Sequence, residues 1–467
     1  MMRELLFIWV ALSLCTFLQA QHVFPKNVQD DKEKIMGEVY WEKWNPEVQK
    51  QIDRNIENNR KADGELTLKE LPQDAEVKIE QISHDFQFGA HIFNFDQLGA
   101  DELNSKYKEL YGTLFNSATI AFYWKSFEPE PGKPRYKAAE IDSPSYWNNL
   151  KEPWKEFHWR RPSPEKIIEF CEQKGIHMHG HPLIWGNTKW NHPTWISKSP
   201  DKVDEMERLF KKRIREITAY YGDRIPSWDI VNESVDPTPG IPRYGVIPDD
   251  YTYKSFKWAE EGFPVSVLFN INDSWRDVYP PFIQDLKERG AKIDVVGLQM
   301  HLFDDKVCLD LADGKKINHN NTSWDPLDVI QYLKELDALE RPIHLSEITI
   351  PAPGDDYKAS QIQAIIAYNM YRLWFSWPSI FKITWWNVVD DCGAAGEPVK
   401  SGLFTRQMEP KPSFFALNEL INKEWKTNLI VKPEKEGKIK FRGFRGNYRI
   451  TWTDRQGDIQ TKEFYLK

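Results

Sequence analysis

Residues 228–234 read Trp-Asp-Ile-Val-Asn-Glu-Ser, WDIVNES. Gly222 and Pro226 precede the stretch and Pro237 and Pro239 follow it, so turn signals bound it on both sides. Trp228, Ile230 and Val231 then suit one buried strand, with Asn232 and Glu233 at its C-terminal end. A carboxylate at that place is either an ion-pair partner or a catalytic group. The rest of the chain has to decide between them.

Outward from this strand the same unit recurs. Strand-like segments lie near 86–93, 117–123, 175–181, 227–232, 266–272, 293–299, 342–347 and 380–387. Helix-like segments follow near 103–114, 164–174, 202–221, 251–261, 279–290, 325–339, 359–377 and 411–425. Eight βα units in about 340 residues predict an α/β chain folded as a (β/α)8 TIM barrel with long loops. A doubly wound open sheet is the alternative, but no glycine-rich phosphate loop follows an early strand.

Chemistry in such a barrel sits where the strands end. Those ends carry His181 and Trp185 (third strand), Asn232 and Glu233 (fourth), and Asn272 and Asp273 (fifth). The sixth carries Gln299 and His301, the seventh Glu347, and the eighth Trp386, Asn387 and Asp390. Two glutamates three strands apart, among amides, imidazoles and tryptophans, suit glycoside hydrolysis. That reaction needs one carboxylic acid that stays protonated and one carboxylate that stays charged. With the two about 5–5.5 Å apart the second attacks the anomeric carbon and configuration is retained. Burial beside Trp228 and a like-charged neighbour are expected to favour the protonated form of Glu233. Asn232 is placed to bind the hydroxyl next to the anomeric carbon, and His301 to hold Glu347 ionised. Each group alone has a structural reading: ion-pair partner for the glutamate, core residue for the histidines and tryptophans. It is the pairing of glutamates at complementary strand ends that favours chemistry.

Composition narrows the partners. With 40% hydrophobic and 28% charged residues among 467, the chain has ordinary globular composition, and its net charge of −8 gives no footprint for nucleic acid. Its 20 Trp, 18 Tyr and 26 Phe suit sugar faces as well as cores. Residues 1–20 place Arg3 before an apolar run from Leu5 to Leu18 and end at Ala20, the pattern of a signal peptide and too short for a membrane span. A secreted, periplasmic or cell-surface protein is expected. Leu14 before Cys15 argues against a lipid anchor. Cys171, Cys308 and Cys392 form neither a disulfide framework nor a metal-ligand spacing. No cofactor or metal, a polysaccharide or oligosaccharide substrate, and a monomer are expected. Residues 21–60 form an N-terminal helical segment, with Val48, Ile52 and Ile56 on one face after Pro46. Residues 61–84 and 427–467 alternate polar and apolar side chains, 64–84 as a pair of antiparallel strands. These flanks are expected to meet in a small β-sandwich beside an 85–426 barrel, either binding sugar or covering the barrel.

The motifs themselves resemble a known family. WDIVNES (228–234), GLQMH (297–301), HLSEITI (344–350), GHPLIWG (180–186) and ITWWNVVDD (383–391) are similar to the strand-end motifs of family-10 glycoside hydrolases, chiefly endo-β-1,4-xylanases. The resemblance covers about residues 85–425 and implies a retaining enzyme of (β/α)8 fold without a cofactor. It further implies Glu233 as acid/base and Glu347 as nucleophile, with His181, Trp185, Asn232, Gln299, His301 and Trp386 binding substrate. Several positions depart from the family. Its Glu-Asn…Lys-Trp group on the second strand, which grips the next xylose, is replaced by SATIAFYWKSFEPEPG, where Ala121, Phe122 and Tyr123 stand for the polar groups. The family's His after Trp185 is Gly186, its Arg before the Gly-His pair is His179, and its Asp two residues beyond the nucleophile is Thr349. A second tryptophan is missing after the eighth strand. Trp147, Trp154 and Trp159, in a long loop after the second strand, either replace lost stacking surfaces or pack that loop down. The expected substrate is therefore a decorated or atypical β-xylan. Alternatives are another β-glycan, trimming from chain ends, or sugar binding without catalysis.

Overall fold

The computed structural model describes residues 32–467 apart from 70, 73, 239–240 and 318–322. The expected signal peptide at 1–20 lies outside the described residues. The strands in chain order are β1 (Lys61–Thr67), β2 (Val77–Gln81), β3 (Gln87–His91), β4 (Ser117–Ala121) and β5 (His177–His181). There follow β6 (Ile184–Trp185), β7 (Ser227–Asn232), β8 (Leu268–Asp273), β9 (Val295–His301), β10 (Ile343–Thr349) and β11 (Ile380–Trp385). The chain ends with β12 (Asn428–Val431), β13 (Lys438–Phe444), β14 (Gly446–Thr453) and β15 (Ile459–Leu466).

Eight parallel strands, β3-β4-β5-β7-β8-β9-β10-β11, close into a barrel through pairing of β11 with β3 (Lys382 opposite Gln87). The short β6 carries the third barrel strand past Pro182 and pairs Trp185 with Asn232. Gly180 is required where β5 meets β7: a Cβ there falls 2.2 Å from the ring of Trp228. Helices cover the outside, among them Asp101–Leu114, Pro164–Lys174, Val203–Tyr221 and Tyr357–Ser376. A helix at Asp305–Ala312, in the loop after β9, is additional to the expected set. No helix among the described residues is long and apolar enough to cross a membrane.

Two strands of the barrel carry a β-bulge just before its mouth. In β7 Asp229 faces Asn270 and Val231 faces Ile271, leaving Ile230 as the extra residue. In β10 Leu345 faces Leu298 and Glu347 faces Gln299, leaving Ser346 as the extra one. An extra residue reverses the in–out alternation beyond it. Asp229 and Asn232, three apart, therefore both turn into the barrel, where strict alternation puts them on opposite faces.

The N-terminal helix Pro46–Arg60 is capped by Asn45, whose side chain accepts from the backbone N–H of Glu47 and Val48. Its buried face, Val48, Ile52 and Ile56, lies against the barrel, and Gln49 Nε2 donates to Asn369 Oδ1 at 3.2 Å on the Tyr357–Ser376 helix. The flanks then meet. β1 pairs antiparallel with β13, and the order β12-β2-β14-β15 forms a second sheet. Val77, Ile79, Ile439, Phe441, Tyr448 and Ile450 fill the space between them. Here the expectation for 64–84 is corrected: β1 and β2 do not pair with each other but belong to opposite sheets. Alternation sets which face of a strand is apolar, while the partner is set by the C-terminal strands that cover it.

Candidate active site

Glu347 stands at the end of β10 with both carboxylate oxygens held. Oε1 accepts from Asn272 Nδ2 at 2.8 Å and Gln299 Nε2 at 3.0 Å, and Oε2 lies 3.1 Å from His301 Nε2. His181 Nε2 is 3.9 Å from Oε1. Burial pulls the His181 imidazole toward neutrality, but its bond to Asp229 and the charges of Glu347, Asp229 and Glu233 outweigh burial and raise its pKa. Asp229 lies 2.6 Å from His181 Nδ1, deep in the barrel, and so fixes the ring that faces Glu347. The side chain of Glu347 is 7% exposed and both of its oxygens face donors.

Glu233 is set up differently. It lies one residue beyond β7 at φ +51°, in the left-handed region, where a non-glycine residue costs about 1–3 kcal/mol. The backbone is held there by Glu233 N–H donating to Asn272 O at 2.7 Å. Oε2 collects three donors: Trp185 Nε1 at 3.0 Å, Arg243 Nη2 at 3.3 Å, and the Tyr244 hydroxyl. Among the described residues no donor reaches Oε1. Glu233 thus has one anchored oxygen and one left for a ligand. Trp228 is not its neighbour: that ring points outward and packs against Phe122, Tyr221 and Phe263. The expected apolar wall is instead Trp185 and Tyr244, with the cation Arg243 added. Arg243 also binds Asp273 at 3.1 Å. Burial pushes the Asp273 carboxyl up, Arg243 pulls it down, and Glu233 adds to the rise, leaving it at about 6.

The remaining expected residues gather around the pair. Asn232 Oδ1 accepts from Asn272 at 2.9 Å and Gln299 at 3.1 Å, so Asn272 bridges Asn232 to Glu347. Trp386 lies edge-on to His181 and His301, with ring centroids 5.4 and 6.0 Å away. Phe93 and Tyr123 complete an aromatic wall with Trp386, and the Tyr123 hydroxyl is 3.2 Å from His181 Nε2.

Comparison with known proteins identifies the family. The family model described as glycosyl hydrolase family 10 matches residues 80–420. The chain belongs to glycosyl hydrolase family 10. It is similar to "Endo-1,4-beta-xylanase B" of Thermotoga neapolitana, 25% identical over 279 residues, 56% of this chain and 74% of that protein. It is also similar to "Endo-1,4-beta-xylanase A" of Thermotoga maritima, 27% identical over 385 residues, 76% of this chain and 31% of that protein. The chain thus spans about a third of the second relative's length. Its fold matches xylanase 10B from Thermotoga petrophila, solved in complex with xylobiose, with a TM-score of 0.56, 23% identity, and 73% of this chain and 95% of that one covered.

Three of the positions that depart from the family-10 motifs, Thr349, Gly186 and His179, lie around this centre. Thr349, in place of the family's Asp, puts Oγ1 2.8 Å from His301 Nδ1 and so orients the ring with a neutral partner. Gly186 replaces the family's His because the space is filled: a Cβ there falls 2.5 Å from Ile247 Cδ1 and 3.0 Å from Tyr244 Cδ2. The loop after β7 has taken that side of the site and delivers Tyr244 to Glu233. His179 turns inward, Nε2 lying 3.1 Å from Asp229. Burial lowers its pKa despite Asp229.

Two of the three tryptophans of the long loop, Trp147 and Trp159, resolve toward packing. Trp147 is buried with Trp159 tilted against it, ring centroids 6.0 Å apart, while Trp154 is exposed. What that loop sends to the barrel mouth is Arg160 and Arg161. Arg160 bonds Glu397 Oε2 at 2.9 Å and lies 3.0 Å from His91 Nε2. Burial pushes the Glu397 carboxyl up, but Arg160, the Ala394 N–H and Asn387 prevail and hold it near 2. A carboxyl held below its ordinary value near 4.5 contributes its stability in full above that pH and loses it as pH falls toward 2. The contribution is on the order of 3 kcal/mol. Glu397→Gln should therefore cost about 3–5 kcal/mol near neutrality, since it strands a buried arginine. Urea unfolding at pH 6 and pH 3 checks this, with the wild type losing more stability than the variant on acidification.

Proposed function

We propose that the protein is a retaining endo-β-1,4-xylanase-like enzyme that cleaves xylan or a decorated xylan by double displacement. The observation that carries this reading is the unequal surroundings of the two glutamates. Glu347 has donors on both oxygens and serves as the nucleophile. Glu233 has donors only on Oε2, so Oε1 carries the proton to the leaving oxygen and later takes one from water. Asn232 positions the neighbouring sugar hydroxyl, and Gln299, His301 and His181 balance the charge that shifts on and off Glu347. Trp185 and Trp386 bound the reacting sugar. No step calls for a metal or cofactor. Residues 1–20 support export before the enzyme acts.

Incubation with linear xylan, glucuronoarabinoxylan and mixed-linkage β-glucan tests this, with products followed by length and by the anomeric proton signals of fresh product. The expected result is internal cleavage of a xylan with the β-anomer appearing first. Hydrolysis of β-glucan alone overturns the xylan assignment, release of single sugars from chain ends overturns the endo assignment, and first appearance of the α-anomer overturns retention. The rebuilt second strand favours a decorated chain over plain xylan: Ala121, Phe122 and Tyr123 offer one hydroxyl where the family has charged and amide groups, and that hydroxyl is engaged by His181.

A further inference from the structure

We propose that Arg161 reads a carboxylate on the glycan, so that the enzyme prefers chains bearing uronic acid residues to neutral ones. The inference rests on the β-glycan reading above and names the chemistry of the subsite beside the reacting sugar. Arg161 closes the long loop after β4, and its Cζ lies 3.7 Å from the centroid of the Tyr123 ring and 5.6 Å from that of Phe93. Tyr123 in turn touches His181, which faces Glu347. The guanidinium is therefore one ring away from the reacting centre.

The neighbouring charges are already engaged. Glu397 binds Arg160, and also accepts from Asn387 Nδ2 at 3.0 Å, Trp386 Nε1 at 3.2 Å and the Ala394 N–H at 2.8 Å. Arg161 uses Nη1 to donate to the Arg160 carbonyl at 2.8 Å. Among the described residues no carboxylate lies within ion-pair distance of it, and it is half-buried. Among the described residues Nε and Nη2 of Arg161 make no hydrogen bond, which leaves that side of the fork for a ligand. A planar fork held this way matches a carboxylate through two parallel charge-assisted bonds, a fit that a sugar hydroxyl does not offer. The change of sequence agrees in sign. The family's second-strand glutamate and lysine are both absent here, so the loss there is neutral in charge, and the cation that arrives from the loop is a net gain. A purely structural arginine clamping Tyr123 accounts for the stack but not for a cation at the mouth without its own anion.

The test compares acidic glycans with their carboxyl-reduced counterparts, using a glucuronic-acid-branched xylan for a branch and a β-1,4-polyglucuronate for a main-chain carboxylate. Binding is measured by calorimetry on the Glu347→Gln variant and turnover as kcat/KM on the intact enzyme. The expected result is at least about tenfold tighter binding of one acidic glycan than of its reduced form. Arg161→Gln should bring that ratio close to one, and Arg161→Lys should keep part of it. Equal binding of each pair by the parent protein overturns the proposal whether or not the variants fold, as does a ratio unchanged in Arg161→Gln. Cleavage of a glycan together with equal rates on the native and reduced forms of both pairs removes the Arg161 role and leaves the hydrolase reading standing. Selective binding without cleavage of any glycan does the reverse.

Discussion

Glu347→Ala is expected to lower kcat/KM on the order of 10⁴-fold or more on every substrate the enzyme cleaves, because it removes the group that bonds to the anomeric carbon. The loss should not depend on the leaving group. Deleting the side chain leaves Asn272, Gln299 and His301 pointing at an anion-sized space, since all three address Glu347 in the intact protein. Added azide should enter that space, attack the anomeric carbon in one displacement, and give the α-glycosyl azide. Rates with and without azide, together with the product's anomeric configuration, check the prediction. Activity within tenfold of the parent would remove Glu347 from the chemistry.

Glu233→Ala should show the opposite dependence on leaving group. With a xylo-oligosaccharide, whose departing oxygen needs a proton, the loss should be about 10²–10⁴-fold. With a dinitrophenyl glycoside, whose leaving group departs unprotonated, glycosylation should proceed at close to the parent rate and the glycosyl-enzyme should accumulate as a burst. Azide should now give the β-glycosyl azide, since it intercepts an intermediate already formed on Glu347. Arg243 keeps Asp273 as a partner after the substitution, so the loop after β7 retains an anchor. An equal loss with both leaving groups would contradict the acid/base role.

The barrel was legible because each of its strands is followed by a helix-period segment, a rhythm that a local pattern records. Positions at strand ends could then be read from the pattern alone: Asn272 joins Asn232, the Glu233 backbone and Glu347, and Gln299 and His301 meet at Glu347. The bulges at Ile230 and Ser346 were not legible, because a bulge depends on register with a neighbouring strand and leaves no mark in the composition of its own. They matter here, since they turn Asn232 and Glu347 inward. The partners of β1 and β2 were hidden for the same reason. Residues delivered by long loops were the least accessible. Arg243 and Tyr244 lie in an irregular stretch before the Tyr251–Gly262 helix, and Arg160 and Arg161 end another before Pro164–Lys174. Nothing periodic sets where such side chains finish. The three tryptophans drew attention to the long loop by their size, yet the two arginines beside them reach the mouth while Trp147 and Trp159 pack the loop down.

Both glutamate predictions depend on a covalent intermediate on one named oxygen-bearing side chain. Incubation with a 2-deoxy-2-fluoro-β-xylobioside bearing a dinitrophenyl leaving group should slow breakdown of that intermediate enough to trap it. Digestion and mass spectrometry should then find one fluorosugar adduct, carried by the peptide that includes HLSEITI and located on Glu347. An adduct on Glu233, or elsewhere, would contradict the assignment of roles, and turnover of the reagent with no adduct and with inverted product would contradict the double displacement itself.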